Sequence, residues 1–161
     1  MMEKTLHSTL TTFAQAVLQG TWYGKEREAV SYYAFGFLAK ACKEGTLLFD
    51  PGQLAIEGRI PATAGHIKKQ VCKDLVIWSK PGMNCWEGRQ AIHLPLAIME
   101  WKVNSGAFFP YDIERLQEYT TAHKGLLGVA VTFDVKHKQA LRAARVVDGV
   151  VDEDWLAVGD S

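Results

Sequence analysis

Ten residues, Leu94-Pro-Leu-Ala-Ile-Met-Glu-Trp-Lys-Val103, place two opposite charges in a run otherwise built for burial, and few folds accommodate that. The apolar character from Leu94 to Met99, with Trp101 and Val103 flanking Lys102, suits a short buried strand or a piece of buried helix. The brevity of the run and Pro95 near its start select the strand. Alternation then sets Glu100 and Lys102 on one face with Leu96 and Ile98, and turns Ala97, Met99, Trp101 and Val103 to the other. An unpartnered ion in a low-dielectric place costs several kcal/mol. The pair must therefore answer each other, a metal or a substrate anion, unless it simply emerges into water where the strand ends.

A chain of 161 residues allows one domain with a proper core and is too short for two of ordinary size. With 48% hydrophobic and 22% charged residues it has a globular composition, not a disordered or membrane one. No apolar run approaches the roughly 18 residues that span a bilayer. Met1-Met-Glu-Lys lacks a signal pattern, so a cytoplasmic protein is expected. Cys42, Cys72 and Cys85 are odd in number and far apart, which reads as reduced packing cysteines. The 18 basic and 18 acidic residues cancel, so any basic surface for nucleic acid has to be local.

The spacing of Leu6, Leu10, Phe13, Ala14 and Val17 predicts a helix over Thr5 to Gln19, and a second follows over about Lys25 to Lys43. Glu26 and Glu28 suit the first turn of that second helix. Strands are expected over Leu54 to Ile60, Ile67 to Trp78, Leu94 to Val103 and Leu126 to Phe133, with Asp74, Val76 and Trp78 on one face of the second. A loop over Ser79 to His93 joins the second and third, and a helix over Asp112 to Thr121, which Asp112 could cap, joins the third and fourth. Lys136 to Arg145 reads as a helix with Ala140, Leu141 and Ala144 inward, and Trp155 to Val158 as an edge strand or a frayed end. The expected fold is α/β or α+β, a mixed central sheet of four to five strands flanked by helices.

Asp74 opens one strand and Glu100-x-Lys102 closes another, and a hairpin-length loop makes these strands antiparallel neighbours. Strands lie about 4.8 Å apart, so the two carboxylates can converge on one cation. Oxygen ligation of that kind suits Mg²⁺, with Mn²⁺ as a substitute. Lys102 falls on the face of Glu100, where it can hold or help deprotonate an attacking water.

Asp74, then Glu100-Trp-Lys102, preceded by an acidic helix with Glu28 and followed by a helix and the strand to Phe133, resembles the PD-(D/E)XK nuclease superfamily with its restriction-endonuclease-like fold. The likeness runs from about Tyr23 to Phe133, which leaves residues 136–161 as a C-terminal extension of a single domain. Pro81-Gly-Met-Asn-Cys-Trp86 followed by Pro95 to Val103 looks like small, uncharacterised bacterial members. The resemblance implies Asp74, Glu100 and the Trp101 backbone carbonyl as metal ligands, Lys102 as the water-orienting residue and Glu28 as a helix acid. Glu26 competes with Glu28 for that role, Glu57 is a further carboxylate within reach, and Lys73 stands where the superfamily's name places proline.

The activity implied is Mg²⁺-dependent hydrolysis of DNA phosphodiesters, with Lys68, Lys69 and the Lys136 to Arg145 cluster as candidate phosphate contacts and a homodimer as one way to cut both strands. Neutral net charge favours a second reading, a catalytically inactive nuclease-fold module that binds nucleic acid or protein. A third, a thiol or zinc enzyme built on Cys72, His66 and His93, has no matching ligand spacing.

Overall fold

The computed structural model describes residues 2–65, 67–137 and 140–159. Helix α1 (Met2–Gln19) forms as its spacing dictates, burying Leu6, Leu10, Phe13, Ala14 and Val17 along one stripe. Helix α2 (Glu26–Tyr33) runs on through a π segment over Ala34–Leu38 and a 3-10 turn over Ala39–Ala41. The irregularity falls around Gly36, a poor helix former, and keeps Ala34 and Leu38 buried in continuation of Val30 and Tyr33.

The strands are β1 (Leu54–Pro61), β2 (Gln70–Ile77), β3 (Trp86–Glu87), β4 (Gln90–Ala91), β5 (Ala97–Lys102), β6 (Leu127–Thr132), β7 (Leu141–Val147) and β8 (Val150–Val158), with helix α3 (Pro110–Ala122) between β5 and β6. Six of them form one mixed sheet in the order β1-β2-β5-β6-β7-β8, while β3 and β4 make a separate ribbon inside the Ser79 to His93 loop. Among the described residues only β5 and β6 run parallel, because α3 carries the chain back across the sheet; the other pairs are antiparallel. On one face α1 and α2 pack Phe13 and Tyr33 against Leu75, Met99 and Trp101. On the other, Leu116 and Tyr119 of α3 cover Val76, Ile98 and Ala144. Among the described residues no helix is long and apolar enough to cross a membrane.

The general α+β class holds, but the sheet has six strands where four to five are expected. Of the expected helix over Lys136 to Arg145, Lys136 and His137 lie in a turn whose amides donate to Asp134, Lys138 and Gln139 lie outside the described residues, and Leu141 to Arg145 open β7 instead. Val146 and Val147 favour a strand, and Asp148-Gly149, with φ of 51° and 78°, makes a two-residue turn that pairs Val147 with Val150. The C-terminal segment is thereby part of the sheet, with Trp155 to Val158 in its edge strand. Elsewhere the boundaries tighten: Ile67 is fully exposed ahead of β2, and β5 begins at Ala97, after Pro95.

Alternation fails in the β1–β2 pair. Ala55 and Ile60 of β1 both pack on the α3 face although five residues apart, and Val71 and Val76 of β2 do the same. A regular strand cannot do this, since five steps reverse the face. The break lies at the register step from Ile56↔Leu75 to Gly58↔Lys73, which passes over Glu57 and Asp74, and Glu57 sits at φ 51°. The common face expected for Asp74, Val76 and Trp78 therefore holds for Val76 and Trp78. Asp74 lies with Glu26 and Val30 of α2, while Lys73 lies with Tyr111 and Tyr119 of the α3 side.

Gly58 is what lets the two strands close around this break. A Cβ there would stand 2.6 Å from Cγ2 of Val76, a buried β-branched side chain with little freedom to move. Gly58→Ala is expected to destabilise the chain by about 1–3 kcal/mol, typical of overpacking. Urea unfolding curves of the two proteins measure the difference.

Candidate functional site

Strands β2 and β5 pair over Leu75↔Met99, Val76↔Ile98 and Ile77↔Ala97, and the pairing goes no further towards Lys102. Beyond Met99 the strands fork, and an acid fills the gap: the Trp101 amide donates to Oδ2 of Asp74 at 2.7 Å. The carboxylate thus stands in for the ladder acceptor that β2 no longer provides. Successive residues of a strand present their amide and carbonyl to alternate edges, and the Lys102 carbonyl accepts from Phe133 on the β6 side at 3.0 Å. The Trp101 carbonyl accordingly lies on the fork edge, with Asp74.

Glu100 sits on the α3 side of the fork. Its Oε1 accepts from Nζ of Lys73 at 2.7 Å, and the two side chains are only 13% and 8% exposed. Burial lifts the Glu100 carboxyl to about 7, against the opposing pull of Lys73 and with further upward pushes from Asp74 and Asp112.

Lys102, two residues on, has its Nζ 3.6 Å from Asp112 Oδ2, 3.9 Å from Glu26 Oε1 and 5.3 Å from the centre of the Phe109 ring. Partial burial works against its charge, but Asp112, Glu26 and Asp74 outweigh that and hold its pKa above the ordinary lysine value. Glu26 is pushed above the usual carboxylate range by burial first, with Lys102 opposing and Asp74 and Asp112 adding to it.

Helix geometry decides which acid of α2 can face this cluster. Residues two apart on a helix point about 200° apart, so Glu26 and Glu28 cannot both turn inward. Glu26 does; Glu28 is exposed. Glu57 turns outward into an exposed ion pair with Arg27 at 2.6 Å. Asp112, expected as a cap, is not one: Phe109 holds the N-cap position without a side-chain cap, Pro110 follows at the first helical position, and Asp112 reaches back from the first turn to Lys102. Sequence reasoning missed its part in the cluster, although an acid one turn into the helix that follows Glu-x-Lys is a readable signal.

Among the described residues the candidate phosphate contacts do not gather. Lys68, Lys69 and Lys136 are exposed, Arg142 stacks over Phe108, and Arg145 pairs with Glu3 at 2.7 Å and Asp152 at 3.9 Å. Of the thiol and imidazole set, His66 lies outside the described residues. The Cys72 thiol donates to the Glu57 carbonyl, and His93 lies by Asn84 and Glu87 in the loop that holds the small ribbon. Among the described residues no three His, Cys, Asp or Glu side chains converge as a metal cage.

The donor set for a cation is therefore two carboxylates and a backbone carbonyl. Trp101 and Lys73 each engage one oxygen, which leaves Asp74 and Glu100 a second acceptor oxygen apiece. Four acids, Glu26, Asp74, Glu100 and Asp112, stand around two ammonium groups, Lys73 and Lys102, an excess of acids over ammonium groups in a partly buried cluster. That excess and the oxygen-only donors fit one divalent ion.

Glu100 has a stability consequence that can be measured. Its folded pKa of about 7 lies above the ordinary 4.5, so the folded state binds the proton more tightly. The associated stability is fully present below pH 4.5 and is lost as pH rises through 7. Glu100→Gln removes this slope, so the stability of the variant relative to the native chain should climb between pH 5 and pH 7.5, read from denaturant midpoints across that range. Compared with protein-family models, curated proteins and solved structures, the chain matches none.

Proposed function

We propose that this chain is a divalent-metal-dependent nuclease of the PD-(D/E)XK type that hydrolyses DNA phosphodiester bonds. The observation that carries the reading is the fork: where pairing stops, Asp74 of one strand accepts from the Trp101 amide, between Glu100 and Lys102 of its antiparallel neighbour, while Glu26 and Asp112 reach Lys102 from helices on either face. In this reading Asp74, Glu100 and the Trp101 carbonyl would hold Mg²⁺, or Mn²⁺ in its place. The bound ion would supply Lewis-acid polarisation of the phosphoryl group and a lowered pKa for the attacking water.

The chain's own residues do the rest. Lys102, kept charged by Asp112 and Glu26, orients the attacking water and neutralises charge that develops on the phosphoryl oxygens. Glu26 and Asp112 fix where that ammonium points. The Trp101 amide fixes Asp74, so one ligand is set before any ion arrives.

Asp74→Ala and Lys102→Ala should each reduce Mg²⁺-dependent cleavage of a labelled DNA to background while leaving the circular dichroism spectrum unchanged. Cleavage at the native rate by either purified variant would overturn the assignment. A second reading, a nuclease-fold module that binds without catalysing, draws on one specific feature: Lys73 already occupies an oxygen of Glu100. Calorimetry with Mn²⁺ at neutral pH separates the two, since the module would show no binding.

A further inference from the structure

Lys73 is the one charge in the cluster for which that chemistry gives no role. Lysine is among the residue types least often buried, yet this side chain is 8% exposed, with its nitrogen 2.7 Å from Glu100 Oε1. The break in alternation at Glu57 and Asp74 puts it there, turning Lys73 to the α3 side, where the strand has parted from β5. Folding alone does not account for the pair. A buried ion pair is commonly no more stabilising than well-packed apolar residues of the same volume. Lys102 does not duplicate it, because its nitrogen stands with Asp112 and Glu26.

We infer that Lys73 is a tethered counter-ion which competes with the divalent cation for Glu100, so that the metal binds by displacing or sharing this ammonium and Lys73 sets how much cation the site requires. The inference rests on the reading of Asp74 and Glu100 as metal ligands. An ammonium and a divalent ion both need the same carboxylate, and at contact distances in a partly buried site like charges repel strongly. With the cation absent, Lys73 keeps Glu100 satisfied and aimed into the fork. With the cation present, the ammonium must move off Oε1 or tolerate the ion beside it.

The test is Mn²⁺ titration calorimetry on the full chain at pH 8, without substrate, for the native protein, Lys73→Met and Lys73→Arg. Lys73→Met removes the charge and keeps the length; it should bind Mn²⁺ at least about tenfold more tightly, a gap well within calorimetric resolution. Lys73→Arg keeps the charge and should stay near the native affinity. An unchanged or weaker affinity in Lys73→Met overturns the inference. Should Lys73→Met not fold, the native protein labelled with ¹³C at the lysine ε carbons decides. The Lys73 signal, identified by its loss in Lys73→Arg, should shift when Mg²⁺ is added, and a signal that stays put while calorimetry records binding overturns the inference. If neither protein binds, the metal-site reading fails along with it, whereas binding that ignores Lys73 sinks this inference alone.

Discussion

Everything at the fork depends on one interruption of strand geometry. Two paired strands that kept strict alternation would carry Lys73 and Asp74 to the opposite faces from those they occupy. The left-handed backbone of Glu57 and the passed-over Glu57/Asp74 step reverse the faces once, in both strands together. The reversal also ends the match between β2 and β5, since a strand that turns its faces cannot continue the ladder of one that does not. A gap opens at mid-sheet, and a gap there exposes backbone polar groups that have to be satisfied. Asp74 satisfies one of them directly, which makes a structural necessity and a site-forming contact the same hydrogen bond.

The surrounding layers hold the gap open. On the α1 and α2 side, Trp101 lies fully buried with its ring 5.5 Å from Phe13 and 5.2 Å from Tyr33, and the Tyr33 hydroxyl is paired to Thr9 at 2.8 Å. On the other side, α3 follows directly from the strand that carries Glu100 and Lys102, and its first turn returns Asp112 to them. The parallel pairing of β5 with β6 fixes that return, because a parallel connection has to cross a face of the sheet. Helix, strand and helix therefore bring acids to one place from three directions while the apolar faces around them close.

Much of this could be read from the chain. Hydrophobic spacing indicated α1, α3 and the strands β1, β2, β5 and β6, and the loop length made β2 and β5 antiparallel neighbours. What resisted reading was local geometry that periodicity does not encode. A positive φ at Glu57, a residue with no special liking for it, reverses faces without a compositional mark, so nothing in the chain marks Lys73 as buried or names its partner. Glu26 and Glu28 are equivalent in composition, and only the phase of the helix separates them. Arg142 and Arg145 resembled one basic helix face, although Asp148-Gly149 was the stronger signal and called for a hairpin.

Trp101 belongs to two regions at once: its ring is held among aromatic side chains under the helices, and its amide holds the acid at the fork. Rigid coupling of this kind means the interior has limited licence to drift. A change to Phe13 or Tyr33, which pack on the ring, would tilt the indole, move the amide and re-aim Asp74, so a fault in packing would present itself as a fault in chemistry.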